Sequence, residues 1–234
     1  MLFRSSRIAG NWQTLKRQIQ AGVIGRVQQL NLAVSLYRRW FWEADAIPSD
    51  LLAYAGQLTG LPAEFLADWQ SWHRDPAQLG GGAFADMGIY NLDLLLWLGG
   101  APAVQVAAFT NKAGLPVESL INLQARLAND VLISLTFADA VDQDTLEQLM
   151  VVGDQGVLRT DHEGTVWLHK ANQQHKLEPT LPETTLSAAF LATILDGQPN
   201  LSPAYEAAYT VELMEATYRS AAEGKIIHIE QMEG

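Results

Sequence analysis

The sequence predicts an α+β fold, in which an open and predominantly antiparallel β-sheet has helices packed on one face. Six short runs of alternating apolar residues follow one another between residues 103 and 170, with turn-forming residues between them. Strands so closely spaced are typical of antiparallel neighbours joined by hairpins. Segments with helical spacing stand before and after these runs. We expect one domain over residues 1–234.

The N-terminal part combines helical and strand patterns. A first helix is predicted in NWQTLKRQIQAGVIG, where apolar residues recur at helical spacing and Gly22 or Gly25 ends the helix. A half-buried strand follows in RVQQLNLAVSLYRRW, because apolar residues alternate from Val27 to Leu36. Residues 40–72 have an irregular and helical pattern, and we expect two short helices in PSDLLAYAGQLTG and LPAEFLADWQSW.

The sheet strands are expected in AVQVAAFTN, SLINLQARLAN, VLISLTFADA, TLEQLMVVG, GVLRTD and TVWLHK. Two helices then close the chain in TTLSAAFLATILDG and SPAYEAAYTVELMEATYRSAAEG, and KIIHIE supplies a last strand. For the final helix, Ser202 is the expected N-cap with Pro203 at the first position, and Gly224 is the expected C-terminal stop.

The second face of this sheet raises the question of oligomerisation. Apolar residues stand at several alternate positions, as in Leu120, Leu123 and Leu127 against Ile121 and Ala125. A sheet that is apolar on both faces favours a homo-oligomer formed through the open sheet face. Loops of the same chain that cover this face are the alternative.

Composition excludes several classes of function. The chain has no cysteine, which excludes disulfides, thiolate metal sites and cysteine nucleophiles. A formal net charge of −11 argues against nucleic-acid binding, which needs a positive surface. The sequence contains no stretch of ~18 apolar residues that would predict a membrane span, and the first residues lack the apolar core of a signal peptide. We therefore expect a cytoplasmic protein. We also expect no metal site, because the histidines lack the spacing of metal ligands.

The segment GGGAFADMGIYNLDLLLWLGG, residues 80–100, places three glycines before an apolar helix. A dinucleotide-binding loop needs G-x-G-x-x-G directly after a strand, and a P-loop needs G-x-x-x-x-G-K-[ST]. Neither pattern occurs here, so the glycines do not predict phosphate binding. Glycines also let a backbone approach a ligand closely, and we expect that role for this loop.

The helix after the glycines carries one polar and aromatic stripe, formed by Asp86, Tyr90, Asp93 and Trp97. The rest of its surface is almost entirely apolar, so the helix is expected to be largely buried. Asp86 either caps backbone donors near the helix start or holds and polarises the Tyr90 phenol for proton transfer.

Taken as a longer segment, WHRDPAQLGGGAFADMGIY resembles the substrate-domain signature of the glucose–fructose oxidoreductase/inositol dehydrogenase/rhizopine catabolism (Gfo/Idh/MocA) family. That signature is roughly W-R, a short loop, G-G-G and D-x-G-x-H. The segments RSSRIAGNWQTLKRQIQAGVIGRV, VVGDQGVLRTD and residues 187–229 are similar to other parts of the same domain, in order and spacing. The resemblance extends over essentially the whole chain.

This resemblance implies a specific role. Family members join an N-terminal Rossmann domain, which binds NAD or NADP, to a substrate domain whose open sheet commonly forms the oligomer interface. Hydride passes between a sugar or cyclitol carbon and the nicotinamide. The resemblance implies catalytic roles for Tyr90 and Asp86, with Tyr90 exchanging a proton with a polar small-molecule substrate. It also implies a substrate pocket lined by Arg7, Trp72, Arg74, Gly81 and Gly82.

Other interpretations of these side chains stay open. Arg7 and Arg74 are also explained by ion pairs, and Trp72 by a place in the core. The cluster YRRWFWEAD, residues 37–45, suits a sugar-binding rim or an oligomer contact. A catalytic role is not favoured for His73, which follows Trp72 in the loop.

Two departures from the family pattern matter. Tyr90 stands where most members have His, although some members, including glucose–fructose oxidoreductase and dihydrodiol dehydrogenase, also have Tyr there. The sequence lacks the Rossmann half with its G-x-G-x-x-G and the E-K-P motif that carries the catalytic Lys. The cofactor-binding residues therefore stay unknown, and we expect neither NAD nor NADP to bind this chain tightly. A split enzyme with a separate Rossmann chain and a non-catalytic binding or assembly protein are the alternatives to a domain of one enzyme.

Overall fold

A nine-stranded sheet organises the computed structural model of the chain, which describes residues 5–43, 49–50, 53, 62, 65, 71–140, 146–179 and 184–230. The strands are β1 Val27–Ser35, β2 Ala103–Asn111, β3 Leu120–Leu127, β4 Leu132–Ala138, β5 Leu146–Gly153, β6 Val157–Thr160, β7 Val166–Lys170, β8 Gln173–Leu177 and β9 Ile227–His228. Their order is β8-β7-β6-β5-β1-β4-β3-β2-β9. All neighbours pair antiparallel except β1 and β4, which are parallel.

Helices lie against this sheet, and α6 packs along β2 and against α4. The α-helices are α1 Gly10–Gln20, α2 Arg39–Glu43, α3 Pro76–Leu79, α4 Ile89–Gly99, α5 Leu186–Leu195 and α6 Ala204–Glu223. A 3₁₀ turn, Ser5–Ile8, precedes α1, and a π-helical turn, Phe84–Gly88, leads into α4. None of the helices in the described part of the chain has the length and apolarity needed to cross a bilayer.

The expected fold class is confirmed, since the sheet is open, mostly antiparallel and accompanied by helices. Two features of the sheet were not expected. The parallel pair arises because β1 inserts between β4 and β5, far from its sequence neighbours. Strand β8 was missed because four of its five residues are exposed, so it lacks an alternating apolar pattern. The two helices expected between residues 49 and 72 lie largely outside the described residues.

The helix ends follow local chemistry with one exception. The helix predicted after Asn11 is confirmed as α1, and Gly22 and Gly25 behind it adopt φ values of 68° and 73°. Gly224 ends α6 in the left-handed conformation, as expected. The expected N-cap at Ser202 is wrong, because α6 begins one residue later and Pro203 occupies the cap position.

The two faces of the sheet differ sharply in polarity. In β3 the buried residues are Ile121, Leu123, Ala125 and Leu127, whereas the exposed residues are Asn122, Gln124 and Arg126. The expected apolar pattern on both faces is therefore wrong at Leu123 and Leu127. Both side chains share the buried face with Ile121 and Ala125, because all four positions are odd-numbered and a strand alternates with period 2.

The open face is rich in amide and hydroxyl groups but also exposes large apolar side chains. Thr136 donates a hydrogen bond to Asn122 at 2.8 Å across the β3–β4 pair. Phe109, Leu132 and Met150 lie on this face, and Phe109 is 78% exposed. The face is therefore polar with apolar islands.

Candidate active site

One end of the sheet gathers charged residues because of its parallel pair. Ser35 of β1 lies opposite Ala138 of β4, so both strands end at the same edge. The chain leaves β1 toward Arg38 and leaves β4 directly at Asp139. Strand β3 runs antiparallel to β4 and begins at this edge, which brings Glu118 there as well. We call the group formed by Arg38, His73, Asp86 and Asp139 the sheet-end cluster.

Arg38 lies at the centre of the sheet-end cluster. Its Nη2 is 2.6 Å from Oδ2 of Asp86, and its Nη1 is 3.5 Å from Oδ2 of Asp139. The guanidinium carbon also lies 4.8 Å from the ring centre of Phe41 and 5.5 Å from that of Trp42. Such contacts with aromatic faces stabilise a cation, so both charge and packing hold this guanidinium.

Asp86 lies in the π-helical turn and has a contact for each oxygen. Arg38 pairs with Oδ2, and Nε2 of the buried His73 is 3.4 Å from Oδ1. Burial raises the pKa of Asp86, but the hydrogen bond from His73 and the Arg38 charge outweigh it, so the pKa lies below its ordinary value. Asp86 is therefore a carboxylate at neutral pH and is suited to orient a neighbouring group rather than to donate a proton.

Asp139 is the fully buried member of the cluster, with 0% exposure. Within the described part of the chain, neither of its oxygens has a hydrogen bond of good geometry, and the same holds for Nε1 of Trp42. Burial raises the pKa of Asp139 to about 6, although the Arg38 charge and the Trp42 indole act in the opposite direction. This carboxyl therefore changes its charge close to neutral pH.

The glycine loop is fastened by side chains that the sequence did not single out. Glu118 Oε1 accepts hydrogen bonds from the backbone N–H of Gly82 at 2.8 Å and of Phe84 at 3.4 Å. The Tyr218 hydroxyl donates to Glu118 at 2.6 Å and accepts from the backbone N–H of Ala85 at 3.1 Å. These bonds satisfy donors that precede a helix and would otherwise be unpaired. Burial and the Glu118 charge raise the pKa of Tyr218 well above its ordinary value.

The same contacts explain two of the glycines. A Cβ at Gly81 would lie 2.4 Å from Oη of Tyr218, and one at Gly82 would lie 2.3 Å from Oε2 of Glu118. We expected a close approach between this loop and a ligand, but the approach that the structure contains is to the protein's own side chains. Substrate contact at Gly81 and Gly82 stays a prediction.

Tyr90 lies in the first turn of α4, directly after the π-helical turn that carries Asp86. Its side chain is half-buried, and none of the described residues makes a hydrogen bond to its hydroxyl. The phenol is thus partly accessible and one helical turn from a carboxylate that is held in place. A proton-transfer role for Tyr90 stays a prediction.

Arg7 takes part in a buried ion pair instead of the sheet-end cluster. It is 2% exposed, and its Nε and Nη2 donate to the two oxygens of Asp93 at 2.8 and 2.7 Å. Its Nη1 bonds to the carbonyl oxygen of Leu201 at 2.9 Å and also to Glu206. Asp93 stands seven residues after Asp86, roughly 10 Å along a helix. The ion-pair interpretation of Arg7 therefore accounts for most of its donors.

Arg74 and Trp72 lie close to the sheet-end cluster. Arg74 donates from Nε to the carbonyl oxygen of Trp42 at 3.1 Å, with a second bond from Nη2. Arg74 thus holds α2, the helix that follows Arg38. The Trp72 ring centre lies 3.6 Å from that of His73. Trp72 is therefore linked to Asp86 through His73, and Arg74 is linked to Arg38 through Trp42. Arg7 lies apart from this group.

A cleft of about 450 Å³ lies elsewhere, between α1, α4 and α6. Its lining includes the predicted substrate-binding residue Arg7, together with Lys16, Trp97, Tyr205 and Tyr209, but not Asp86, Tyr90 or Arg38. The sheet-end cluster is the stronger candidate site, because its charged groups pair with one another and are largely buried. Among the described residues, no group of three or more His, Asp or Glu side chains is placed to hold a metal ion.

Comparison with known proteins identifies the family of the chain. The family model described as the GFO/IDH/MocA C-terminal domain matches residues 12–159, which is more than half of the chain. None of the curated proteins matches.

Solved structures match over almost the whole chain. The aldose-aldose oxidoreductase from Caulobacter crescentus, complexed with glycerol, has a TM-score of 0.71 and 20% identity over 96% of this chain and 62% of its own. The WlbA dehydrogenase from Bordetella pertussis, in complex with NADH and UDP-GlcNAcA, has a TM-score of 0.70 and 20% identity over 97% and 62%. A levoglucosan dehydrogenase in complex with NADH has a TM-score of 0.72 and 15% identity over 97% and 65%.

At these low identities the structural similarity shows the fold alone, and the chain spans less than two thirds of the length of each of these proteins. The family model spans more than half of the chain and covers the sheet from β1 into β6. The chain therefore belongs to the Gfo/Idh/MocA family and corresponds to its C-terminal domain.

Proposed function

We propose that this chain is the substrate-binding half of an NAD(P)-dependent oxidoreductase that acts on a sugar, a cyclitol or a related polar alcohol or carbonyl compound. The observation that carries the proposal is the ionised Asp86, held by Arg38 and His73 one turn before Tyr90. Similar proteins solved with NADH or with glycerol support the class of reaction and the polarity of the substrate.

The glycine loop of this chain does not fit a dinucleotide. The sequence has no dinucleotide loop, and the glycine loop presents its backbone donors to Glu118 and Tyr218. A pyrophosphate placed there would meet the Glu118 carboxylate, which already occupies the donors it would need. We therefore assign the cofactor to protein outside this chain.

The steps assigned to this chain concern the substrate alone. Tyr90 exchanges a proton with the substrate hydroxyl or carbonyl, and the fixed carboxylate of Asp86 orients Tyr90 or a substrate hydroxyl beside it. A carboxylate that cannot easily take up a proton keeps this orientation over a wide pH range. Trp72, Arg74, Gly81 and Gly82 line the proposed pocket, and Arg7 supports its helix through Asp93.

Titration of the purified chain with small polyols tests this proposal. We expect myo-inositol, D-glucose or glycerol at millimolar concentration to shift backbone amide resonances around Asp86 and Tyr90 in NMR spectra. Tyr90→Phe removes one hydrogen-bonding group, so we expect affinity to fall by about fivefold to tenfold. Tyr205→Phe is the matched control, because Tyr205 is 61% exposed and lines the other cleft.

Two results would contradict the proposal. Resonance shifts confined to the other cleft would place polyol binding away from Asp86. The second result would come from calorimetric titration with NADH and NADPH. Micromolar binding of either nucleotide to this chain alone would mean that a cofactor site exists within it. We expect no tight binding of either nucleotide.

The proposal also assigns partners to two exposed surfaces, the open sheet face and helix α5. The apolar islands on the open sheet face support a homo-oligomer formed through that face. Helix α5 supports a second contact, because none of its residues is buried and Phe190, Leu191, Ile194 and Leu195 are all exposed. A separate Rossmann chain, or a Rossmann domain in the same polypeptide, is the partner that the family resemblance implies for such a surface.

A non-catalytic binding or assembly protein is the second candidate. The observation that favours it is the exposed apolar surface of α5, which a contact with another protein would cover. Mixing the chain with a dinucleotide-binding domain of the family separates the two candidates. NADH oxidation by the mixture in the presence of a carbonyl substrate would support the substrate-binding half of an oxidoreductase. A stable but inactive complex would support the assembly protein.

A further inference from the structure

The sheet-end cluster contains one strong cation between two largely buried carboxylates. Arg38 contacts Asp86 with one terminal nitrogen and Asp139 with the other. The exposed fraction of the side chain is 11% for Asp86 and 0% for Asp139. An unpaired carboxylate in such surroundings is costly, so the guanidinium is needed by both.

We propose that Arg38 is the positioning residue of this site, which fixes the Asp86 carboxylate beside Tyr90 and is itself fixed by Asp139. The role of Asp86 in this statement rests on the proposed function. The arrangement of the two ion pairs does not, and it can be tested without substrate or cofactor.

The surroundings of Arg38 restrict its movement from several sides. Phe41 and Trp42 lie against the guanidinium, and Arg74 ties the backbone of Trp42. The Leu36 amide donates to the carbonyl oxygen of Ala138 at 2.8 Å, which joins the β1 end to the residue before Asp139. Arg38 is therefore held at its backbone and at both arms, as a group that orients another must be.

The shape of the guanidinium also matters. Arginine presents several N–H donors in a rigid fork, so one side chain can pair with two separate carboxylates. A lysine ammonium is a compact point charge on a flexible stem and lacks this fork. The geometry thus requires arginine specifically and not only a positive charge.

Charge balance assigns different tasks to the two carboxyls. His73 and Arg38 favour the ionised form of Asp86, whereas burial favours the neutral form of Asp139. The permanent ion pair is therefore between Arg38 and Asp86. Asp139 contributes a weaker, longer contact whose charge depends on pH near 6.

Carbon-13 NMR of the aspartate carboxyl groups tests the inference on the intact chain. The Asp86 and Asp139 signals are assigned with Asp86→Asn and Asp139→Asn, and each pKa is read from a pH titration. In Arg38→Gln we expect both pKa values to rise by about one unit or more, because one cation near each carboxylate is lost. Arg39→Gln is the matched control, since Arg39 pairs with Glu43 on the exposed side of α2, and we expect neither pKa to move.

Loss of structure gives a different result from loss of the charge. Local unfolding would raise the pKa of Asp86 but lower that of Asp139 toward the ordinary 3.8. A joint rise is thus specific to removal of Arg38 from a folded site. Arg38→Lys provides a second variant, and we expect it to restore only one of the two values.

Three outcomes in folded variants would overturn the inference: an unchanged Asp86 pKa in Arg38→Gln, an unchanged or lowered Asp139 pKa in Arg38→Gln, or full restoration of both values by lysine. The polyol titration is a separate experiment. Failure of the polyols to bind would remove the proposed function and leave the positioning of Asp86 standing.

Discussion

At the scale of single residues, Asp139 shows how a buried acid links stability to pH. Its pKa in the folded protein is about 6, compared with an ordinary value of 3.8. The folded state therefore binds this proton more tightly than the unfolded state does. Its contribution to the free energy of unfolding is fully present below about pH 4 and is lost as the pH rises from 4 through 6.

Asp139→Asn removes this dependence. The gap of about 2 pKa units corresponds to about 3 kcal/mol, so we expect the Asn variant to be more stable than wild type by up to that amount at pH 7.5. At pH 4.5 the difference should largely disappear, because the wild-type carboxyl is then protonated in the folded protein. Urea unfolding at both pH values measures the difference in free energy of unfolding between the variant and wild type. If that difference does not depend on pH, Asp139 does not titrate near 6.

At the scale of elements, the glycine loop is held by Glu118, just before β3, and by Tyr218 of α6, both distant in sequence. Gly82→Ala would place a Cβ 2.3 Å from Oε2 of Glu118 and 2.6 Å from Cβ of Val117. Because the loop must move and its N–H bond to Glu118 weakens, we expect the free energy of unfolding to fall by about 1–3 kcal/mol.

Gly10→Ala is the control for this substitution. The nearest atom to a Cβ at Gly10 is Cβ of Pro179 at 3.6 Å, an ordinary contact. We expect its effect in the same urea unfolding experiment to stay within about 0.5 kcal/mol. Equal effects of the two substitutions would mean that Gly82 is not closely packed in solution.

The elements also show which parts of the site a sequence can reveal. Periodicity predicted α1, α6 and most strands, because each buries one face and therefore repeats with a fixed period. Helix α4 was predicted from its nearly continuous apolar residues, because it is buried on almost all sides. Asp86 and Tyr90 could be found because they interrupt an apolar helix. The sequence does not show that Arg38, Asp139 and Glu118 lie together, because only the parallel register of β1 on β4 brings them to one edge. That register depends on long-range packing, which local patterns do not contain.

At the scale of the whole molecule, surface polarity distinguishes the sheet from α5. The open sheet face intersperses apolar side chains among amides and hydroxyls, as an interface with a polar rim does. Helix α5 is apolar on all sides, and Leu195 is 74% exposed. We therefore propose different partners for these two surfaces, a second copy for the sheet and another domain for the helix.

Charge substitutions on the two surfaces distinguish these assignments. Leu132 and Met150 are 44% and 41% exposed on strands β4 and β5, so a Glu at either position adds a charge to the sheet face without filling the core. We expect the purified chain to self-associate, and Leu132→Glu or Met150→Glu to weaken that association at least tenfold in sedimentation equilibrium, because burial of an unpaired carboxylate in an interface is costly. Leu195→Glu should leave the self-association of this chain unchanged. If Leu195→Glu dissociates the oligomer and the two sheet variants do not, then α5 mediates self-association, and the sheet face is not the interface between copies.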